Sequence, residues 1–268
     1  MRAIRAFLGV PRNACNVGVL SEVDLLLPRY RAHIEMVRHY NRMLKMNDTR
    51  LTKKIFLWDR SLNDKQIVST WTNEVKKIFQ SFNAVGIFDS QCSFDIKLTV
   101  TDMRKAFVSS QNDFLANECA QKPKLRTFNS FKDFQVAPAY IFKPLSFFQR
   151  RMIAKVRLGC LPIRLETGRY SIPRIPESER KCLVCKNYVT HLDPSDPDSI
   201  ENEAHFLFQC VAYKNERGIW FQKMTLPINF NSFDLQHKFD IVLNDPSNVK
   251  FTSQFILNSY NTRSKILN

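Results

Sequence analysis

Apolar residues recur at steps of three and four along much of the chain. Leu26, Leu27, Tyr30, Ile34, Val37 and Leu44 trace one such stripe, the pattern of a helix that buries one face. Pro28 suits its first turn, where a backbone N–H has no helical partner to lose. A second stripe runs through Ile67, Trp71, Val75, Ile78, Phe79 and Phe82, with Asn63 or Asp64 as its expected cap. A third begins after Thr101 with Met103, Phe107 and Phe114, and Leu125, Phe128 and Phe131 make a short fourth. Between the second and third, 94–100 reads as a short β segment. Phe148, Met152 and Val156 step by four along a further helix. Two more helices are expected between Ile228 and Asn268, broken at Asp245-Pro246-Ser247, the later one carrying Phe251, Phe255 and Tyr260. The pattern predicts a mainly α protein whose aromatic stripes are core rather than base-stacking platforms, because stacking aromatics must be exposed.

Charge changes this picture. The 268 residues hold 40 Lys and Arg against 25 Asp and Glu, a formal charge of +15, which points to a polyanionic partner and above all to nucleic acid. With 22 Phe and 44% hydrophobic residues the chain is not a disordered basic tail. No apolar run has the length of a membrane span, and the N-terminus lacks the apolar segment of a signal peptide, so an intracellular protein, nuclear or cytoplasmic, is expected. Six Gly and no G-x-G-x-x-G or P-loop pattern argue against a Gly-rich phosphate loop.

The charge is concentrated. Between Lys143 and Lys181 ten basic residues face three acidic ones, nearly half of the excess in 39 positions. Arg150, Arg151, Lys155 and Arg157 fan over the face opposite Phe148, Met152 and Val156, so the helix can pack on a core and offer cations to phosphates; a solvated basic face is the plainer alternative. The stretch 168–176, with its prolines, is expected to be an extended connector.

Immediately afterwards come the only closely spaced cysteines. Cys182 and Cys185, with His205 and Cys210, form a C-x2-C…H-x4-C set of soft ligands that can enclose one Zn²⁺ tetrahedrally. Two residues between the first pair allow a tight knuckle. His205 and Cys210 are five apart, more than one helical turn, so both reach one ion only if the helix starts near His205 or loosens near Cys210. Glu201 and Glu203 are expected near the positive end of that helix. The turn-rich segment between the pairs reads as an exposed loop; it carries His191, which could stand in for His205. Buried free cysteines or a disulfide are the alternatives. The other cysteines, Cys15, Cys92, Cys119 and Cys160, are scattered singly, so a reducing compartment and a metal are favoured. Four protein ligands leave no open position for water, so the zinc is expected to be structural.

The motif Arg180-x-Cys182-x-x-Cys185, followed by Glu201-x-Glu203-x-His205-Phe206-Leu207-Phe208-x-Cys210-x-x-Tyr213-x-x-x-Arg217, resembles the zinc-binding region at the C-terminus of reverse transcriptases from LINE-type (non-long-terminal-repeat) retrotransposons. Arg151-x-x-x-Lys155-x-Arg157-x-Gly159, Arg164-x-Glu166-x-Gly168-Arg169-Tyr170, 124–128, and Phe7-Leu8-Gly9-Val10 with Asn13-Ala14 resemble the region between polymerase and zinc module. The family often has a proline after the last cysteine, where Val211 stands here. The resemblance implies that Cys182, Cys185, His205 and Cys210 bind structural Zn²⁺ and that the module grips template RNA or single-stranded or target DNA. It implies phosphate contacts from Arg150, Arg151, Lys155, Arg157, Arg169 and Arg180, and a buttressing role for Tyr213 and Arg217. On this basis 1–140 is a helical thumb- or connector-like region, 141–181 a basic helical linker, and 182–268 a small zinc-knuckle helical domain.

Polymerisation of that type needs paired carboxylates to hold two Mg²⁺ ions, and no Asp-Asp pair occurs in the sequence. The expectation is a non-enzymatic, nucleic-acid-binding C-terminal remnant, with any polymerase half on a separate chain. The alternative is a host-recruited protein-interaction module, stabilised by zinc and without nucleic-acid function.

Overall fold

The computed structural model describes residues 1–65, 71–188 and 200–267. The chain is mainly α, and among the described residues the only β pairing is an isolated antiparallel bridge between Lys181 and Ile200. In chain order the helices are α1 (Arg2–Leu8), α2 (Asn16–Ser21), α3 (Pro28–Leu44), α4 (Leu51–Asp64), α5 (Trp71–Ser81), α6 (Val85–Asp89), α7 (Ile96–Ala120), α8 (Arg126–Phe131), α9 (Phe147–Arg157), α10 (Arg164–Thr167), α11 (Leu183–Tyr188), α12 (Lys214–Lys223), α13 (Leu235–Leu243) and α14 (Val249–Leu267). Helices α3, α5, α13 and α14 form where the apolar periodicity predicts them. Pro28 opens α3, and Asp234 caps α13 by accepting the His237 N–H at 2.8 Å. Ile67 lies outside the described residues. Asn63 and Asp64 close α4 rather than open α5. The β segment expected over 94–100 is absent: helix begins at Ile96, where the Asp95 side chain accepts the N–H groups of Lys97 and Leu98.

The chain divides into two compact units, Leu25–Phe114 and a second one made of Met1–Asp24 with Leu115–Asn268. The first has an aromatic core in which Tyr40 meets Phe56, Phe79 and Phe88. In the second, Leu8, Val10 and Val19 share one core with Ile153 and Val156 of α9, with Cys182, Phe206 and Tyr213, and with Phe255 of α14. The second unit runs across positions 140 and 181 rather than dividing there. The basic helix and the cysteine region are one folding unit, because the face of α9 that meets the core is already covered by residues from both ends of the chain.

Helix α9 starts with a capping box: the Ser146 side chain accepts the Gln149 N–H while the Gln149 side chain accepts the Ser146 N–H. It buries Met152, Ile153, Ala154, Val156 and Arg157, a broader face than one stripe. Phe148, read as part of that face, is 61% exposed.

At the heart of the second unit Arg157 is fully buried with Glu22. Its Nε donates to both Glu22 oxygens at 3.1 and 2.9 Å and its Nη2 to one of them at 2.9 Å, while Nη1 donates to the carbonyl of Leu243 and to Asn244. Tyr140 donates its hydroxyl to the same carboxylate. Two glycines are required by their surroundings. Gly159 has φ +59°, and a Cβ there would lie 2.3 Å from the Lys124 carbonyl oxygen; Gly9 has φ +64°, and a Cβ would lie 2.7 Å from the Arg151 stem.

Candidate metal centre and basic surface

The knuckle is built from local backbone chemistry. Cys182 precedes α11, and its sulfur accepts the N–H of Cys185 at 3.4 Å, so the first ligand also caps the helix that carries the second. The Lys181–Ile200 bridge, continued by the Glu201 N–H to the Arg180 carbonyl at 2.9 Å, brings the second ligand pair alongside. Asn202 then accepts the His205 N–H at 2.8 Å.

From His205 to Gln209 the backbone is a π turn, with the Cys210 N–H donating to the His205 carbonyl at 2.8 Å. Five α-helical steps would leave these two residues about 140° apart around the axis. The wider i→i+5 turn narrows that offset, and such turns concentrate at functional sites. This is the loosening that the five-residue spacing demanded. Arg217 holds the turn open, its Nε donating to the Leu207 carbonyl at 3.0 Å and its Nη2 to the Cys210 carbonyl at 2.6 Å. Tyr213 is buried against Phe206, ring centroids 5.1 Å apart.

The result is a cluster in which the ligand atoms of Cys182, Cys185, His205 and Cys210 all lie within 4.8 Å of one another. Cys185 Sγ is 3.4 Å from His205 Nε2 and 3.5 Å from Cys210 Sγ. His191 lies outside the described residues. All three cysteines are free of disulfides. Three sulfurs this close cannot share negative charge without a cation among them. Hydrogen bonds from Cys182 and then Cys210 hold the Cys185 thiol far below the usual range, while the bond to Cys185, that to Cys210, and burial drive Cys182 far up. Cys210, pulled down by Cys182 but raised more by Cys185 and by burial, is pushed up to about 12. The four donors make a site that can hold one metal ion.

The acidic residues of the motif stand at the opening of that helical turn, which begins at Glu203, and also reach further. Both are buried in ion pairs: Glu201 with Arg263 of α14, while also accepting the Arg164 N–H at 2.6 Å, and Glu203 with Arg126 at 2.8 Å. They tie the segment that leads into His205 to α14 and α8. Only the remote basic partners, not visible in a local motif, reveal this role.

The six basic residues separate into two sets. Arg157 and Arg180 are buried and are removed from the phosphate-contacting set: Arg157 is spent on Glu22, and Arg180 donates to the carbonyls of Ile175 and Leu165 at 2.8 to 3.1 Å, fastening the connector to the knuckle. Arg169 is half-buried, 3.7 Å from Glu166, whose other partner is Lys124. Arg150, Arg151 and Lys155 are half-buried along α9 and have no acidic partner among the described residues. The Arg150 guanidinium lies 5.0 Å from the ring centre of Phe7, an exposed residue of α1, and the Arg151 stem crosses Gly9. Burial and, next, Arg151 lower the pKa of Lys155. The aromatic contribution of α1 to this surface is absent from any reading of the basic segment alone. Among the described residues no helix is long and apolar enough to cross a membrane. Comparison of the chain with protein-family models, curated proteins and solved structures returns no match.

Proposed function

We propose that this protein is a zinc-stabilised module that binds RNA or single-stranded DNA, akin to the C-terminal region of LINE-type reverse transcriptases, and that it binds rather than catalyses. The observation that carries the reading is the surface of α9, where Arg150, Arg151 and Lys155 lie without carboxylate partners among the described residues, beside exposed Phe7. Cations paired with an aromatic face suit a phosphate backbone with unstacked bases.

Zinc fits the donor set. Ligands at about 2.3 Å for sulfur and 2.0–2.1 Å for nitrogen around a tetrahedral ion stand roughly 3.6–3.8 Å apart; the pairs at 3.4 and 3.5 Å need a slight expansion, and the full set, within 4.8 Å, brackets that separation. Four protein ligands fill that shell and leave no position for a substrate water, which supports a structural role. Bound there, zinc would supply folding energy and hold the sulfurs as thiolates. Any polymerase activity belongs on this reading to another chain.

Titration with single-stranded RNA and DNA at two ionic strengths tests the proposal. Binding that weakens steeply with salt is expected, and replacing Arg150, Arg151 and Lys155 together by Ala should reduce the slope of log affinity against log salt by about 2, at about 0.7 per single-strand phosphate contact. Salt-insensitive binding would contradict it. A second reading, a protein-interaction module, is favoured by one feature: Leu51, Ile55 and Trp58 of α4 are 73, 54 and 64% exposed at positions that share one helical face. A protein partner recovered in place of nucleic acid, and lost on Trp58→Ala, would support that reading instead.

A further inference from the structure

Residues of α9, α12 and α14 line a groove of about 440 Å³, a size suited to a small organic ligand. Its floor is aromatic: Trp220 and Phe255 stack with ring centroids 4.2 Å apart and planes 7° apart. Half-buried Phe251 and Ile219, the latter 55% exposed, extend this apolar lining toward solvent. The indole N–H of Trp220 is buried without an acceptor among the described residues.

Polar groups cross the groove in a row. The Gln149 amide donates to Gln254 at 3.2 Å, and the Gln254 amide donates to Asn258 at 2.8 Å. Each carboxamide NH₂ carries two hydrogens, so this relay leaves donors for a ligand with ring nitrogens and carbonyl oxygens. Lys223 and Lys250 line the groove without an ion pair among the described residues, while the one acidic lining residue, Glu216, accepts the Thr262 hydroxyl at 2.9 Å. The groove is therefore apolar at its base, amide-lined and net positive.

We propose that this groove seats one base of a single-stranded nucleic acid, the ring lying against Phe251 and Ile219, its edge meeting the carboxamides, and its flanking phosphates meeting Lys223 and Lys250. The inference rests on the nucleic-acid-binding reading and adds to it a site that takes the base rather than the backbone. An acidic helical peptide would satisfy the lysines and the floor, but its apolar residues recur over several turns and would leave the carboxamide row without ring acceptors.

The test compares, on the full chain, an oligothymidylate with an abasic strand of the same length and charge. The native protein should prefer the base-bearing strand by about five- to a hundredfold, the usual worth of one stacked base. Ile219→Ser, at an exposed position that tolerates substitution, and Phe251→Ala, checked for folding by circular dichroism, should each bring the oligothymidylate toward the abasic affinity while leaving the salt dependence intact. Equal affinity of the native chain for the two strands overturns the groove but not the phosphate surface. Binding of neither strand at low salt overturns both. Capture of an acidic, leucine-bearing helical peptide that is lost in Ile219→Ser, with no discrimination between the strands, assigns the groove to a protein and overturns the proposal.

Discussion

Arg157→Met separates a structural cation from a nucleic-acid-binding one. The substitution keeps most of the buried stem but removes three hydrogen bonds to Glu22 at 2.9 to 3.1 Å and those to Leu243 and Asn244 at 2.9 and 2.7 Å. Glu22, itself fully buried, is left with the hydroxyl of Tyr140 as its remaining donor among the described residues. Breaking a buried pair by removing one partner costs about 3–5 kcal/mol, a large part of the roughly 5–15 kcal/mol that holds a domain folded. With a urea dependence of about 1–3 kcal/mol per molar, the unfolding midpoint should fall by roughly 2 M. Trp220 fluorescence, recorded with Trp58 and Trp71 replaced by Phe, reads this unit alone, since Trp220 is buried in its core. The double variant Arg157→Met with Glu22→Met removes both charges and should recover most of the loss, because a hydrophobic replacement of a whole buried pair is often neutral. An unchanged midpoint for Arg157→Met, together with weakened RNA binding, would refute this assignment and return Arg157 to the phosphate-contacting set.

Gly159→Ala should destabilise the second unit by several kcal/mol in a urea titration, since both a positive φ and a carbonyl oxygen 2.3 Å away oppose a Cβ; a change under about 0.5 kcal/mol would contradict the close approach. Lys155 is a base whose pKa is lowered by burial and by Arg151, against an upward pull from Cys160, so it gives up its proton at a lower pH than an ordinary lysine. Nucleic-acid affinity should accordingly begin to fall on the acid side of the normal lysine range as pH rises. Lys155→Arg, which stays charged, should remove that early loss, and an identical profile in the variant would count against a contact from this residue. Chelation should unfold the unit that contains Met1–Asp24 and Leu115–Asn268 while leaving Leu25–Phe114 protected in hydrogen exchange; retention of native protection around Phe206 and Tyr213 would show that the metal does not hold this core.

Local signals made the helices and the ligand set legible. The apolar steps from Tyr30 to Leu44 and from Trp71 to Phe79 are short-range consequences of helical geometry, and the two cysteine-containing pairs carry their spacing in the sequence. Even the π turn was implied, because His205 and Cys210 are five residues apart and a regular α turn cannot face them the same way. Long-range pairing was not legible. Arg157 and Phe148 lie on one short helix, yet the charged residue is buried and the aromatic one exposed, because the carboxylate that neutralises Arg157 lies 135 positions earlier. The same is true of Glu201 with Arg263 and of Glu203 with Arg126, separated by 62 and 77 positions. The discontinuity of the second unit was hidden for the same reason: residues 1–24 are completed by partners beyond 114.

X-ray absorption at the zinc edge on the purified full chain, with the metal-to-protein ratio measured on the same sample, shows whether the four donors hold zinc. One zinc per chain is expected, with three sulfur ligands at about 2.3 Å and one nitrogen at about 2.0–2.1 Å, the nitrogen lost in His205→Ala. A metal-free folded chain, a disulfide among Cys182, Cys185 and Cys210, or a sulfur-free coordination shell would contradict it.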